Sequence, residues 1–164
     1  MLYYIEKLVH GLNGLMVVLG GVCLVGMIGL TCANIALRAV WVPITGTYEV
    51  MAYAGALAVA FALAPTQARR GHIAVDVLVN RFPPSVRRLL HGFNDLVCAA
   101  FLVVIAVQLV QKAAGFWRTG ELSETLRIGF APVILAVALG CGAMALVFLL
   151  DLARSLARRD GAPR

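Results

Sequence analysis

The chain has 164 residues and a mass of 17.5 kDa, a size suited to one ordinary domain. Its hydrophobic content is 62%, its charged content 13% and its mean hydropathy +0.91, whereas a water-soluble domain carries about 25% charged residues. Together with a net charge of +6, these values exclude a disordered chain, a soluble enzyme and a nucleic-acid module, and leave an integral membrane protein.

Four runs contain no Asp, Glu, Lys or Arg: Gly11–Leu37, Val50–Ala68, Leu96–Gln111 and Ile128–Leu150. About 20 apolar residues in a helix, rising about 1.5 Å each, cross the hydrocarbon layer. The first, second and fourth runs reach that length unaided. The third borrows Leu89–Asp95, which brings His91, Asn94 and Asp95 to the membrane edge. Backbone groups in lipid must be satisfied within the segment, so runs this long and apolar are helices. The fold class predicted is an all-α integral membrane protein of one domain, with four transmembrane helices over about 10–37, 49–68, 87–112 and 128–152. The first run exceeds the apolar stretch of about 7–15 residues in a secretory signal and is read as an uncleaved anchor. Thr31 is too large to precede the cysteine of a lipoprotein site at Cys32.

The first helix is rich in glycine, at Gly11, Gly14, Gly20, Gly21, Gly26 and Gly29. The second carries alanine at every fourth position, Ala52, Ala56, Ala60, Ala64 and Ala68. Small residues let helix backbones approach closely, and in lipid such packing is a major source of association. Ala52, Ala56, Ala60 and Ala64 are therefore expected to pack against a larger partner. An alanine-rich composition would produce such spacings without any partner. Pro65 removes an amide near the end of this helix and is expected to bend it.

The loop after the second helix holds Arg69-Arg70-Gly71-His72-Ile73-Ala74-Val75-Asp76 and continues to Asn80-Arg81-Phe82-Pro83-Pro84. His72, Asp76 and Asn80 recur every four residues among apolar positions, the pattern of a short amphipathic helix over about 72–82 lying in the membrane interface. Pro83 and Pro84 stop it, and Pro84 suits the first position of the third helix.

Orientation follows from the basic residues. Ten of the 14 fall on one side, at Lys7, Arg69, Arg70, Arg81, Arg87, Arg88, Arg154, Arg158, Arg159 and Arg164. Four fall on the other, at Arg38, Lys112, Arg118 and Arg127. The positive-inside rule places both termini and the second loop in the cytoplasm. The basic balance is thus an orientation signal, and nucleic acid is not expected as a partner.

The chemistry of an enzyme is missing. Cys23, Cys32, Cys98 and Cys141 form no C-x-x-C pair and read as small buried residues. His10, His72 and His91 lie near charges at one membrane edge, not deep and facing as haem ligands must. No metal-ligand spacing, phosphate loop or nucleophile motif occurs, so no cofactor is expected. A pumping transporter keeps an ionisable residue within its spans. Asp95 is the one candidate, and His91 and Arg88, four and seven residues earlier on the same face, favour a structural pair. Asn34, Gln108 and Gln111 read as interfacial groups or inter-helix hydrogen bonders.

The loop resembles that of the small permease subunit (DctQ-type) of tripartite ATP-independent periplasmic (TRAP) transporters. The family pattern is a basic pair and glycine, His-Ile-x-Val-Asp, then Arg-hydrophobic-Pro and further arginines. Arg69–Ile73, Val75, Asp76, Arg81–Pro83, Arg87 and Arg88 fit it. Upstream, Asn34-Ile35-Ala36-Leu37-Arg38 and Gly46-Thr47-Tyr48-Glu49 are similar to the family's Asn-x-x-x-Arg and Gly-x-x-Glu. The likeness covers about 28–155. Pro65 and the fourth helix depart from the pattern.

The resemblance implies a non-enzymatic subunit in a bacterial inner membrane. In such systems a periplasmic substrate-binding protein captures an organic acid anion, and a large many-helix permease moves it by an elevator-type motion driven by sodium or protons. The small subunit looks like a scaffold for the static part of the large one. Arg69, Arg70, His72, Asp76, Arg81, Arg87 and Arg88 are then expected at the inner interface, each arginine contributing about 1 kcal/mol near anionic phospholipid. Arg38, Trp41 and Glu49 would organise the first outer loop, and Glu121 and Glu124 the second, as a docking surface for the binding protein. Glu49 also suits the positive end of a helix dipole, with Gly46 or Thr47 as cap. The alternative from another class is a self-sufficient small transporter, working as a homodimer with Asp95 as coupling carboxylate.

Overall fold

The computed structural model of the chain describes residues 2–40, 42–68 and 83–157. It is all-helical, with no strand among the described residues: α1 is Leu2–Val40, α2 Thr47–Ala68, α3 Pro84–Thr119 and α4 Phe130–Ala157. All four contain segments long and apolar enough to cross a membrane: Gly11–Val40, Thr47–Ala68, Leu89–Thr119 and Phe130–Ala153. The interfacial helix expected over 72–82 lies outside the described residues.

The helices run past the charge-free runs because nothing local stops them there. α3 continues beyond Lys112 through Ala113 and Ala114, strong helix formers, and ends only where Gly120 adopts φ 67° and its N–H donates to the Phe116 carbonyl. Glycine takes this left-handed conformation without a Cβ penalty. Its start is set by Pro84 in the first helical turn, where a missing amide costs nothing. α2 runs through Pro65 to Ala68. The Thr66 hydroxyl, next in sequence, donates to the Ala62 carbonyl at 2.6 Å.

Packing follows a row. α1 lies against α2, α2 against α4, and α4 against α3. Among the described residues the other helix pairs approach one another far less, so α1 and α3 stand at the two ends of the row. α4 is consequently the most enclosed helix, with 44% of its most apolar window buried against 6% for α3.

Small residues set the closest approaches in this row. Gly140 of α4 sits on Ala60 of α2 so tightly that a Cβ at Gly140 would lie 2.5 Å from the Ala60 carbonyl oxygen. Gly20 of α1 similarly faces Ala58 and Phe61 of α2. The core, toward the end opposite the two short loops, includes Met16, Ala64, Ala99, Met144 and Phe148. The alanine ladder is therefore divided: Ala60 and Ala64 are buried inside the chain, while Ala52 and Ala56 are exposed.

Candidate functional site

The α1–α2 and α3–α4 loops meet at one end of the row, and hydrogen bonds hold both to fixed positions. In the first, the Asn34 side-chain oxygen near the end of α1 accepts from the Ile44 amide at 2.9 Å. The buried Thr47 hydroxyl, opening α2, donates to the Ile44 carbonyl at 2.7 Å. Asn34, expected as an interfacial group or an inter-helix hydrogen bonder, thus bonds to the backbone of its own loop. The Thr47 hydroxyl turns back to the loop.

Gly46 precedes α2 with φ 79°, and the Val50 amide donates to its carbonyl. A Cβ here would meet the Leu126 side chain of the other loop at 2.5–2.9 Å. Glycine is needed twice over, for its backbone angle and for the space.

Glu49, in the first turn of α2, reaches across to the α3–α4 loop. Its Oε2 accepts from the Ser123 hydroxyl at 2.5 Å and from the Leu126 amide at 3.1 Å, and its Oε1 from the Thr125 amide at 2.8 Å. An ionised carboxylate accepts only, so three converging donors match its chemistry, and such charge-assisted bonds are the stronger kind. Ser123 is buried, its amide donates to the Ile128 carbonyl at 2.9 Å, and Leu122 pairs with Gly129 in an antiparallel bridge. The loop is thus a small closed turn clasped onto α2, with Arg127 in a left-handed conformation at φ 51°.

Beneath the clasp, Phe130 of α4 packs edge-on against Tyr53 at 5.9 Å and at a tilt against Phe116 at 5.7 Å, joining α2, α3 and α4. Lys112 sits over the Phe116 ring at 5.8 Å, a cation–π contact. The Tyr53 hydroxyl is buried without a partner among the described residues.

The surface above is mixed in charge. Arg38, Arg118, Glu121, Glu124 and Arg127 are all exposed, as are Tyr48 and Trp117. Of the residues expected to dock a partner, Glu49 and the loop bearing Glu121 and Glu124 come together. Arg38 stands on α1 as an exposed residue, and Trp41 lies outside the described residues. The carboxylate of Glu49 serves the second loop, while Asn34 and Thr47 hold the first. Sequence reading missed Ser123, because a single serine in a polar loop carries no signal of its own.

At the other end, Arg87 and His91 are exposed and Asp95 is half-buried on α3. Arg69, Arg70, His72, Asp76 and Arg81 lie outside the described residues, and so does the side chain of Arg88. Among the described residues no three His, Cys, Asp or Glu side chains gather as a metal site. The four cysteines are free thiols, and only Cys141 is buried.

The clasp thus lies at one end of four helices that are each long and apolar enough to cross a membrane. Residues 27–158 match the family described as tripartite ATP-independent periplasmic transporters, DctQ component. The chain belongs to the DctQ family. No curated protein and no solved structure matches it. As a DctQ component it is the small membrane subunit of a TRAP transporter, a multi-pass protein associated with the other parts of that system. The matched segment takes in all of α2, α3 and α4, the clasp, and the last third of α1.

Proposed function

We propose that this DctQ component is a scaffold: it holds the large, many-helix permease subunit in a bacterial inner membrane and helps the periplasmic substrate-binding protein to dock. The observation that carries the reading is the open row of helices. A transporter acting alone needs a site enclosed between its helices, whereas a row with two free ends offers surface on which another membrane protein packs.

In this reading both termini and the α2–α3 loop face the cytoplasm, following the excess of basic residues there. Arg69, Arg70, His72, Asp76, Arg81, Arg87 and Arg88 lie at the inner surface against anionic phospholipid. The clasped end then faces the periplasm, where Arg38, Trp41, Glu49, Glu121 and Glu124 belong to the docking surface. Glu49 acts there by shaping the second loop, and Glu121 and Glu124 present free charge. Of the alanine ladder, the exposed Ala52 and Ala56 remain for contact with the large subunit. The cargo is an organic acid anion, moved by the large subunit's elevator-type motion.

Reconstitution tests the reading. Liposomes holding this chain alone should show no uptake of organic acid anions, and uptake should require the large subunit and the binding protein together. Uptake by the chain alone, abolished by Asp95→Asn, would overturn the scaffold reading.

A further inference from the structure

α3 carries polar side chains on the face turned away from the rest of the chain. Ala99 and Ala113 are each only 1% exposed, and Phe116 meets Phe130 of α4, so these positions mark the inward face. Gln108 is nine residues from Ala99, about two and a half turns, and therefore opposite to it. Gln111, two residues before Ala113, stands about 160° from that residue. Both glutamines are exposed, with Phe101 and Val104 on the same side at 65% and 59% exposure. Neither carboxamide has a hydrogen bond to any described residue.

Depth makes this costly. The charge-free stretch of α3 lies between Asp95 and Lys112. From its midpoint Gln108 is about 7 Å along the helix, well inside a hydrocarbon half-thickness of about 15 Å. Helical side chains lean toward the N-terminus. In α3 that direction runs from the clasped end toward the membrane centre, so Gln108 leans away from the nearer water. A carboxamide surrounded by lipid tails forfeits its hydrogen bonds.

Charge distinguishes the possible occupants. Lys112 and Arg118 are exposed beside and above the glutamines, and Arg118 stands about 140° from Ala113, on the outward side. A second copy of this chain, related by a two-fold axis along the membrane normal, would bring Arg118 against Arg118 at equal depth. Like charges at matched positions disfavour that pairing. A different helix can offer the opposite charge.

We propose that the outward face of α3, carrying Gln108, Gln111 and Arg118, is where a transmembrane helix of the large permease subunit docks. The partner helix presents hydroxyl or carboxamide groups at the depth of the glutamines and a carboxylate at the level of Arg118. The exposed Gly115, with nothing within 4 Å of where its Cβ would stand, lets that helix come close between the two polar levels. This assignment rests on the scaffold reading above.

The test uses the assembled transporter in native membranes. A benzophenone amino acid at position 108 should give, on irradiation, an adduct with the large subunit. The same group at position 25, where Val25 is 67% exposed on α1, should give none. An adduct between two copies of this chain, an adduct from position 25 alone, or none from position 108 in a co-purifying complex would overturn the assignment. If the large subunit fails to co-purify even with the unaltered chain, the scaffold reading itself fails, and the assignment with it. Separately, the double variant Gln108→Leu, Gln111→Leu should lower recovery of the large subunit in mild detergent by about three- to ten-fold. The variant chain's own thermal midpoint should stay unchanged. Unchanged recovery would remove the glutamines from the interface.

Discussion

The Ser123 hydroxyl donates to the Glu49 carboxylate at 2.5 Å across 74 positions of sequence. This contact, with the Thr125 and Leu126 amides on the same carboxylate, joins the α3–α4 loop to the first turn of α2. Ser123→Ala removes one of the three donors and is expected to lower the thermal midpoint of the purified protein by about 2–4 °C. Glu49→Ala leaves all three donors without their acceptor and should lower it further. The double variant should fall no lower than Glu49→Ala, because the two side chains act through one contact. Thermal unfolding in detergent reads all three values.

Gly140 and Gly142 provide a matched pair of substitutions on α4. A Cβ at Gly140 would run into the backbone of Ala60, which moves only if α2 and α4 separate. Gly140→Ala should therefore cost about 1–3 kcal/mol, as overpacking does. At Gly142 nothing lies within 4 Å of the added carbon. Gly142→Ala should be neutral or stabilising by up to about 1 kcal/mol, since alanine is the better helix former. Equal effects of the two, measured by denaturation in mixed micelles, would contradict the α2–α4 register.

Gly46 and Gly120 both have positive φ, but their surroundings differ. Gly120→Ala meets open space and should cost about 1–2 kcal/mol from the backbone angle alone. Gly46→Ala also collides with Leu126 and should cost more. Adding Leu126→Ala should recover part of that excess. Susceptibility of the two loops to added protease gives a local readout beside the thermal midpoint.

Glu121 and Glu124 are exposed on a loop held by the clasp, so their charge can be changed without disturbing its fold. Charge reversal at either, Glu121→Lys or Glu124→Lys, should weaken docking of the binding protein and raise the apparent KM for uptake by several-fold. Recovery of the large subunit should be unaffected. Uptake and docking left unchanged by both reversals would remove this loop from the docking surface.

The four helices were legible because lipid leaves the backbone one solution. Runs such as Gly11–Leu37 and Ile128–Leu150 cannot satisfy their amides except as helices. Pro84 was a local signal as well, since proline acts through its own backbone chemistry at a helix start. The end of α3 at Gly120 was not: the helix was expected to stop near residue 112, at the first charge after the apolar run. Glu49 was legible only in part. A carboxylate in the first turn of a helix has a sufficient local reason to be there, and that reason hides its bonds to another loop. The Ala52–Ala68 ladder was visible as a spacing, but its division was not. Burial of Ala60 and exposure of Ala56 depend on which side of α2 receives Gly140.

The sequence by itself determined membrane residence, the four helices and the family, because these depend on local composition, on backbone hydrogen bonding in lipid and on short motifs. Tertiary structure alone decided that Glu49 holds the α3–α4 loop, that Ala60 is used within the chain, and that Gln108 faces away from it. Each of those turns on the rotation and register of one helix against another. Glycine, alanine and glutamine at regular spacing look the same from either side until the helices are packed.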